Sequence, residues 1–148
     1  MAPLAGLGQR FLARVIDTVV LVVFDLLLGV AFAGPDTNSS DMSRGEQVLL
    51  GVLVFALYFA YEGAMTAARG QTLGKIALGI RVARLADGSV PGRAGWVRAA
   101  VYALPGVLVA AVVGPLLWLL DSLWCSWDRP YRQCLHDKAA RTVVVAAV

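Results

Sequence analysis

Acidic and basic side chains occur inside the long apolar segments of this chain. Arg10, Arg14, Asp17 and Asp25 lie in or beside the apolar run 11–32, at successive spacings of four, three and eight residues. These spacings place all four on one face of a helix. Glu62 occurs in a second apolar run. Carboxylates at such positions are typical of cation and proton pathways, because they hold a cation when ionised and carry a proton when neutral.

The alternative interpretation of these charges is structural. An arginine and an aspartate three residues apart can pair within a helix, which lowers a cost of about 2.5 to 3.5 kcal/mol for a charge at the centre of a membrane helix. We expect Arg14 to pair with Asp17 in this way, and another arginine to pair with Glu62. Such pairs would fix the register of the helices, and we prefer this interpretation while the ion pathway stays open.

The sequence contains few of the residue combinations that catalysis or metal binding requires. Cys125 and Cys134 lack a CxxC spacing, and His136 is the single histidine. A zinc site, a disulfide framework or a catalytic triad needs more partners than these. We therefore expect two reduced thiols, no metal, no cofactor and no enzymatic activity. The net charge of +3 is too small and dispersed to indicate a nucleic-acid partner.

The composition is that of a membrane protein. Hydrophobic residues make up 59% of the 148 residues, charged residues only 16%, and the mean hydropathy is +0.71. The runs 11–32 and 48–68 are each long enough to cross a bilayer as a helix. Asp17 and Asp25 would interrupt the apolar region of a signal peptide, so we expect the first helix to be retained. The sequence predicts an all-α polytopic membrane protein with one domain over 1–148.

Smaller features of the sequence predict how these helices are connected. Turn-forming residues dominate the connector 34–47, and Ala60, Ala64 and Ala68 offer a narrow face that another helix could approach closely. The basic segment 69–98 contains a predicted strand over 80–85, followed by an Asp-Gly turn at 87–88. The β-branched run 141–148 is its expected strand partner.

The third apolar segment, 96–127, admits two interpretations. Its 32 residues exceed one span and contain helix interruptions at Leu104-Pro105-Gly106 and Gly114-Pro115. Either an interfacial helix leads into one span, or two short helices form a re-entrant hairpin. Basic residues cluster before the first helix, after the second and in the tail, which indicates that these parts are all cytoplasmic. Since the segment after the second helix and the tail lie on the same side of the membrane, the third apolar segment must return to that side, which favours the hairpin. Asp17, Glu62 and Asp121 would then share a layer roughly 9 Å below the cytoplasmic boundary.

Three ordered motifs, covering nearly the whole chain, resemble those of the RDD family of membrane proteins. They are residues 10–17, residues 70–82 with Gly70, Gln71, Thr72, Leu73, Gly74 and Lys75, and residues 136–145 with His136, Asp137 and Lys138. The family is named for an arginine and two aspartates. Arg10 and Asp17 match the first two, and Asp137 is the most natural third, although Asp121 and Asp128 lie nearby. Arg141 departs from the family pattern, which usually reads Ala-Gly-Thr at this point.

The resemblance implies a membrane architecture more clearly than a function. Transport of unidentified ligands, sodium-proton exchange and a role as an assembly module have all been connected with the family. We expect an accessory or assembly component of a membrane complex in the bacterial inner membrane, with a cytoplasmic N-terminus. The alternative is cation or proton transport. Two or three spans enclose little space, so transport would require a homo-oligomer or a larger complex.

Overall fold

The computed structural model describes residues 2–34, 42–107 and 113–147, which contain six helices and two strands. The elements in chain order are α1 (Leu7–Ala33), α2 (Arg44–Arg69), α3 (Leu73–Ala77), β1 (Ile80–Arg84), α4 (Arg93–Val107), α5 (Val113–Trp124), α6 (Leu135–Ala139) and β2 (Thr142–Ala146).

The two long helices, α1 and α2, are the only described helices that are long and apolar enough to cross a membrane. They have 27 and 26 residues, or roughly 40 Å each at 1.5 Å per residue. The Ser43 hydroxyl accepts from the Glu46 backbone N–H, and the Glu46 carboxylate accepts from the Ser43 backbone N–H, so α2 begins with a capping box. It ends at Gly70, whose φ of 71° is the left-handed conformation that favours glycine.

The third apolar segment forms two short helices instead of one continuous helix. α4 and α5 have 15 and 12 residues, or roughly 22 and 18 Å. Tyr102 of α4 stacks on Trp118 of α5, and the Trp118 indole N–H donates to the Tyr102 carbonyl at 2.7 Å. Arg98 near the beginning of α4 and Asp121 near the end of α5 both bind His136, so the two helices run antiparallel. Pro105 and Pro115 lie near the facing helix ends, and residues 108–112 lie outside the described residues.

A small antiparallel sheet joins two distant parts of the chain. β1 pairs with β2 with Val82 opposite Val144, which confirms the predicted strand pairing. On the other side of β2, Leu4 forms a bridge with Val145. The Asp-Gly turn after β1 is also present, with Gly88 at a φ of 72°. Around this sheet lies a small apolar core made by Ala5, Ala13, Ile80, Val82 and Val144.

These pairings gather one end of the helices into a compact region, which we call the strand lobe (residues 3–5, 70–92 and 125–147). The Gly70 carbonyl, at the end of α2, accepts from the Val82 backbone N–H at 2.7 Å. α6 packs against the beginning of α4 and the end of α5. The helix pair α4–α5 therefore starts and finishes at the strand lobe.

The close helix approach occurs on a different face of α2 from the predicted one. Ala60, Ala64 and Ala68 are exposed, so no other described helix packs closely on the face that they form. Instead, a side chain at Gly63 would collide with Trp96, and one at Gly95 would collide with the backbone of α2. The spacing of the alanines predicts a narrow face, whereas the face of α2 that is buried carries Tyr58, Glu62 and Gly63.

A buried network of charges as the candidate functional site

A cluster of ionisable side chains fills the space where α1, α2, α4 and α5 meet the strand lobe. Most of its members are buried, and Arg14 is partly buried. We call this set the polar cluster. It has four basic members, four acidic members and one histidine: Arg10, Arg14, Lys75, Arg98, Asp17, Glu62, Asp121, Asp137 and His136. With the histidine neutral, its formal charges balance.

Asp17 of α1 is held by the loop that follows α2. Its carboxylate accepts from the Thr72 hydroxyl at 2.7 Å, the Tyr61 hydroxyl at 2.9 Å and the Gly74 backbone N–H at 3.0 Å. Gly74 lies so close to α1 that any side chain there would collide with the Ala13 carbonyl. The glycine thus permits a backbone amide to reach a buried carboxylate.

Arg14 pairs across two helices and not within its own. Its Nη1 lies 2.7 Å from Oε1 of Glu62, which is fully buried. The predicted pairing of Arg14 with Asp17 is therefore wrong, because Asp17 is satisfied by donors from α2 and α3. The Arg14 guanidinium also stacks over the Tyr102 ring, with Cζ 3.8 Å from its centroid. Arg14 thus contacts both α2 and α4.

Lys75 lies between the two carboxylates of the long helices. Its Nζ is 3.8 Å from Asp17 and 3.9 Å from Glu62, and it donates to the Thr72 hydroxyl at 3.0 Å. Burial, with the Arg14 guanidinium adding repulsion, lowers the pKa of Lys75 to about 7. Lys75 can therefore change its charge near neutral pH.

Arg98 and Asp137 connect α4 to α6. Arg98 Nη1 lies 2.5 Å from Asp137 Oδ1, and the other carboxylate oxygen accepts from the Cys134 backbone N–H at 3.1 Å. Burial, the largest single effect, would raise the pKa of Asp137, but Arg98 and the other neighbouring charges and donors together outweigh burial, so that pKa lies below its ordinary value. Sequence reasoning missed Arg98. A signal existed, since this arginine lies inside the third apolar segment, where a charge needs a partner.

His136 has a protonation state that its neighbours determine. An Arg98 N–H donates to Nε2 at 2.8 Å, so this nitrogen must be the acceptor and carry no hydrogen. Nδ1–H then donates to Asp121 at 2.5 Å, while the His136 backbone N–H donates to the second Asp121 oxygen at 2.9 Å. Burial, reinforced by Arg98, lowers the pKa of His136. The imidazole is thus neutral and connects Arg98 to Asp121.

The remaining predicted residues fall into two groups. Arg10 is buried and donates to the carbonyls of Arg132 at 2.5 Å and Val144 at 2.9 Å, so it ties α1 to the strand lobe. Asp25 is exposed and lies outside the polar cluster. Asp17, Glu62 and Asp121 all belong to the polar cluster, in which Arg14 contacts both Glu62 and the His136 ring that binds Asp121. Their common depth in the membrane stays a prediction.

The other family-motif residues build the strand lobe instead of the polar cluster. The Gln71 amide donates to the Ile80 carbonyl at 3.0 Å, which supports β1. Leu73 is 49% exposed, so it is a surface residue of α3. Lys138 forms an ion pair with Asp128 at the surface. Asp128 thus lies outside the polar cluster.

Cys134, His136 and Asp137 converge, with one potential ligand atom from each within 4.8 Å of the others. Both histidine nitrogens are already engaged, and Arg98 binds both His136 and Asp137. A metal cation here would displace these bonds and meet a guanidinium. The donor set therefore does not fit a metal ion.

Comparison with known proteins places the chain in one family. The RDD family profile matches residues 4–141, which is most of the chain. Comparisons with curated proteins and with solved structures found no significant match. RDD proteins are small membrane proteins, and the two long apolar helices agree with that description. The chain therefore belongs to the RDD family.

Proposed function

We propose that this protein is an accessory or assembly component of a membrane complex, and that α1 packs against another subunit. Within the described residues, α1 is the less buried of the two long helices. Most of its apolar side chains face outward. A helix of this kind has a large surface available for a second copy of the chain or for a different membrane protein.

The outward-facing carboxylate of Asp25 carries this proposal. Asp25 has no hydrogen bond or ion pair within the described part of the chain, and its neighbours Val22 and Leu26 are 50% and 62% exposed. A charged side chain facing hydrocarbon costs about 2.5 to 3.5 kcal/mol near the bilayer centre. A partner helix that offers a basic or hydroxyl side chain at this level would remove that cost.

The polar cluster supports a structural role for the other charges. Asp17, Glu62, Asp121 and Asp137 each have a basic group or a hydrogen-bond donor in contact. A transported cation would have to displace these contacts. The pairs also connect α1, α2, α4 and α6, which is what an assembly role requires of a rigid subunit.

We further propose that the strand lobe is cytoplasmic and that the protein is a multi-pass protein of the inner membrane. Basic residues concentrate in and around this lobe, as in Arg69, Arg81, Arg84 and Arg132. In this orientation α4 and α5 form a re-entrant hairpin, since the described part of each is too short to cross, and α4 begins and α5 ends at the strand lobe.

Photo-crosslinking in native membranes tests the proposal. A photoreactive residue at position 22, beside Asp25, should give an adduct of defined mass. An adduct of twice the chain mass of 15.7 kDa would identify a second copy, and any other mass would identify a different subunit. Asp25→Leu should abolish the adduct without lowering the unfolding temperature of the purified protein. The matched change Leu26→Met should preserve both. Failure of the wild-type protein to form an adduct would contradict the proposal.

Cation or proton transport by an oligomer is the second candidate, and Lys75 is the observation that favours it. A buried lysine between two carboxylates, with a pKa of about 7, can exchange a proton during turnover. Purified protein in liposomes with an imposed sodium or pH gradient should then show a flux that Glu62→Gln abolishes. We expect no such flux from the protein alone. A Glu62-dependent flux would replace the accessory role by the transport role.

A further inference from the structure

A cavity of about 550 Å³ lies beside the polar cluster, between α1 and α5. α1 makes its main contacts with α2 and α3, whereas α5 packs mainly against α4 and α6, so the two helices diverge here. The walls of the cavity are apolar: Phe11 and Val15 come from α1, and Leu119 and Leu123 come from α5.

The inner end of the cavity is basic. Arg10, Arg14, Lys75 and Arg98 all line it, whereas Asp137 is the single acidic residue among the described lining residues. The carboxylates of Asp17 and Glu62, which neutralise part of this charge, lie behind the basic groups and do not line the cavity. The cavity thus meets the positive side of a cluster whose total charge is balanced.

Two of these arginines have hydrogen-bonding capacity left. Arg10 and Arg98 are 8% and 2% exposed, and the Nε of each has no acceptor among the described residues. A buried guanidinium N–H without an acceptor is unfavourable, because burial removes water without replacing it. Both residues line the cavity, and arginine binds phosphate and carboxylate groups well, so an oxyanion that enters the cavity would bind these guanidinium groups.

The outer part of the cavity is open to the surroundings of the helices. Phe11 is 68% exposed, Val15 45%, Leu119 56% and Leu123 48%, although all four line the walls. In a membrane these side chains face hydrocarbon. Arg10 lies in the first turn of α1, where the apolar run begins, and so at the level of the headgroups.

We propose that this cavity binds an anionic phospholipid, with the phosphate against Arg10 and Arg98 and an acyl chain between Phe11 and Leu119. The site is separate from the proposed partner contact, because the α1 residues that line the cavity end at Thr18, and Asp25 lies two turns further along the helix. A lipid there would fill the gap and hold α5 against α1.

Native mass spectrometry of the full chain, released from detergent, tests the proposal with phosphatidylglycerol and phosphatidylcholine as probes. We expect one phosphatidylglycerol per chain, bound at least tenfold more tightly than phosphatidylcholine. Leu119→Trp fills the cavity without touching the polar cluster and should reduce occupancy at least tenfold. Leu116→Trp is the matched control, since Leu116 is 59% exposed on the same helix but does not line the cavity.

A second set of measurements distinguishes binding of a lipid headgroup from binding of a free anion. Arg10→Gln should remove the preference for phosphatidylglycerol. Inorganic phosphate should raise the unfolding temperature less than phosphatidylglycerol does. Equal binding of the two lipids, or equal effects of the two tryptophan variants, would overturn the proposal. Phosphate that stabilises the protein as much as the lipid, and does so equally in Leu119→Trp, would overturn the assignment to a lipid.

Discussion

Arg14 of α1 and Glu62 of α2 join the two long helices through one ion pair, with Nη1 2.7 Å from Oε1. The pair is largely screened from the surroundings, since the Arg14 side chain is 15% exposed and the Glu62 side chain is fully buried. Removing one partner therefore leaves an uncompensated charge in an apolar environment.

Replacing either residue of this pair should lower the free energy of unfolding strongly, and the effects of the two replacements should not add. Arg14→Gln or Glu62→Gln alone should lower the free energy of unfolding by about 3 to 5 kcal/mol, whereas the double variant should lose clearly less than the sum. Unfolding of the purified protein in mixed micelles measures both. Lys138→Ala is the control: it breaks the surface pair with Asp128 and should cost about 1 kcal/mol or less. Strict additivity of the two glutamine changes would contradict the pairing.

His136 should make the protein sensitive to mild acid. Its folded-state pKa lies below the unfolded value of about 6.5, so the unfolded chain takes up a proton first as the pH falls. Stability should therefore decrease from about pH 6.5 downward. His136→Gln, which still offers an acceptor and a donor, should flatten the stability curve between pH 7 and 5. His136→Lys should prevent folding, because it places a cation against Arg98. If His136→Gln lost stability below about pH 6.5 as strongly as the wild-type protein does, the imidazole would not be the group that is neutral in the folded state.

Lys75 should make the stability of the protein depend on pH above neutrality, whereas His136 does so below about pH 6.5. Its folded-state pKa of about 7 lies below the ordinary 10.5, so the unfolded chain binds more protons between these values. Stability should rise with pH through this window, because the buried charge is lost. Lys75→Met should remove the rise, and the exposed Lys138→Met should leave it. The unfolding temperature measured from pH 7 to 9 gives the slope, and a flat wild-type profile would contradict a charge change at Lys75.

Gly74 should tolerate no larger residue. Gly74→Ala would push α3 away from the Ala13 carbonyl and weaken the amide bond to Asp17, for a loss of about 1 to 3 kcal/mol in unfolding free energy. Gly8→Ala is the matched change, since a side chain at Gly8 meets nothing within 4 Å and alanine favours the helix. Thermal unfolding of both variants compares the two positions, and equal stability would mean that α3 can move freely.

The two strands should lie on one side of the membrane. Cysteines introduced at the exposed positions Ala86 and Ala147 should react alike with a membrane-impermeant thiol reagent, and only after the cytoplasmic face is opened. Gly45→Cys, at the other end of α2, should react in intact cells. Labelling of position 147 from outside with position 86 protected would contradict both the orientation and the sheet.

Features determined by local pattern were predictable from the sequence. The apolar runs indicated α1 and α2, and the β-branched tail with the basic segment indicated the pairing of β1 with β2. Sequence spacing recognises neighbours within one helix. The spacing therefore predicts a pair of Arg14 with Asp17. The observed pair of Arg14 with Glu62 depends on how α1 and α2 are rotated against each other.

Arg98 was missed for a related reason. In the sequence Arg98 is one basic residue among several near the third segment, and such residues indicate only which side of the membrane is cytoplasmic. Its role depends on α6 returning Asp137 and His136 to the beginning of α4, 39 and 38 residues away in the chain. Similarly, the alanine spacing of α2 indicated a narrow face without showing which side of the helix would be covered.

The contact of Arg10 with Val144 also constrains the order of events during synthesis. Asp17 meets its donors 55 and 57 residues later, but Arg10 meets the Val144 carbonyl only 134 residues later. While the chain emerges from the ribosome, α1 is complete before these partners have been made. Of the two described strands, the later one is thus the one that completes the contacts of the first helix. A chain interrupted before β2 would lack the Val144 carbonyl that ties Arg10 of α1 to the sheet.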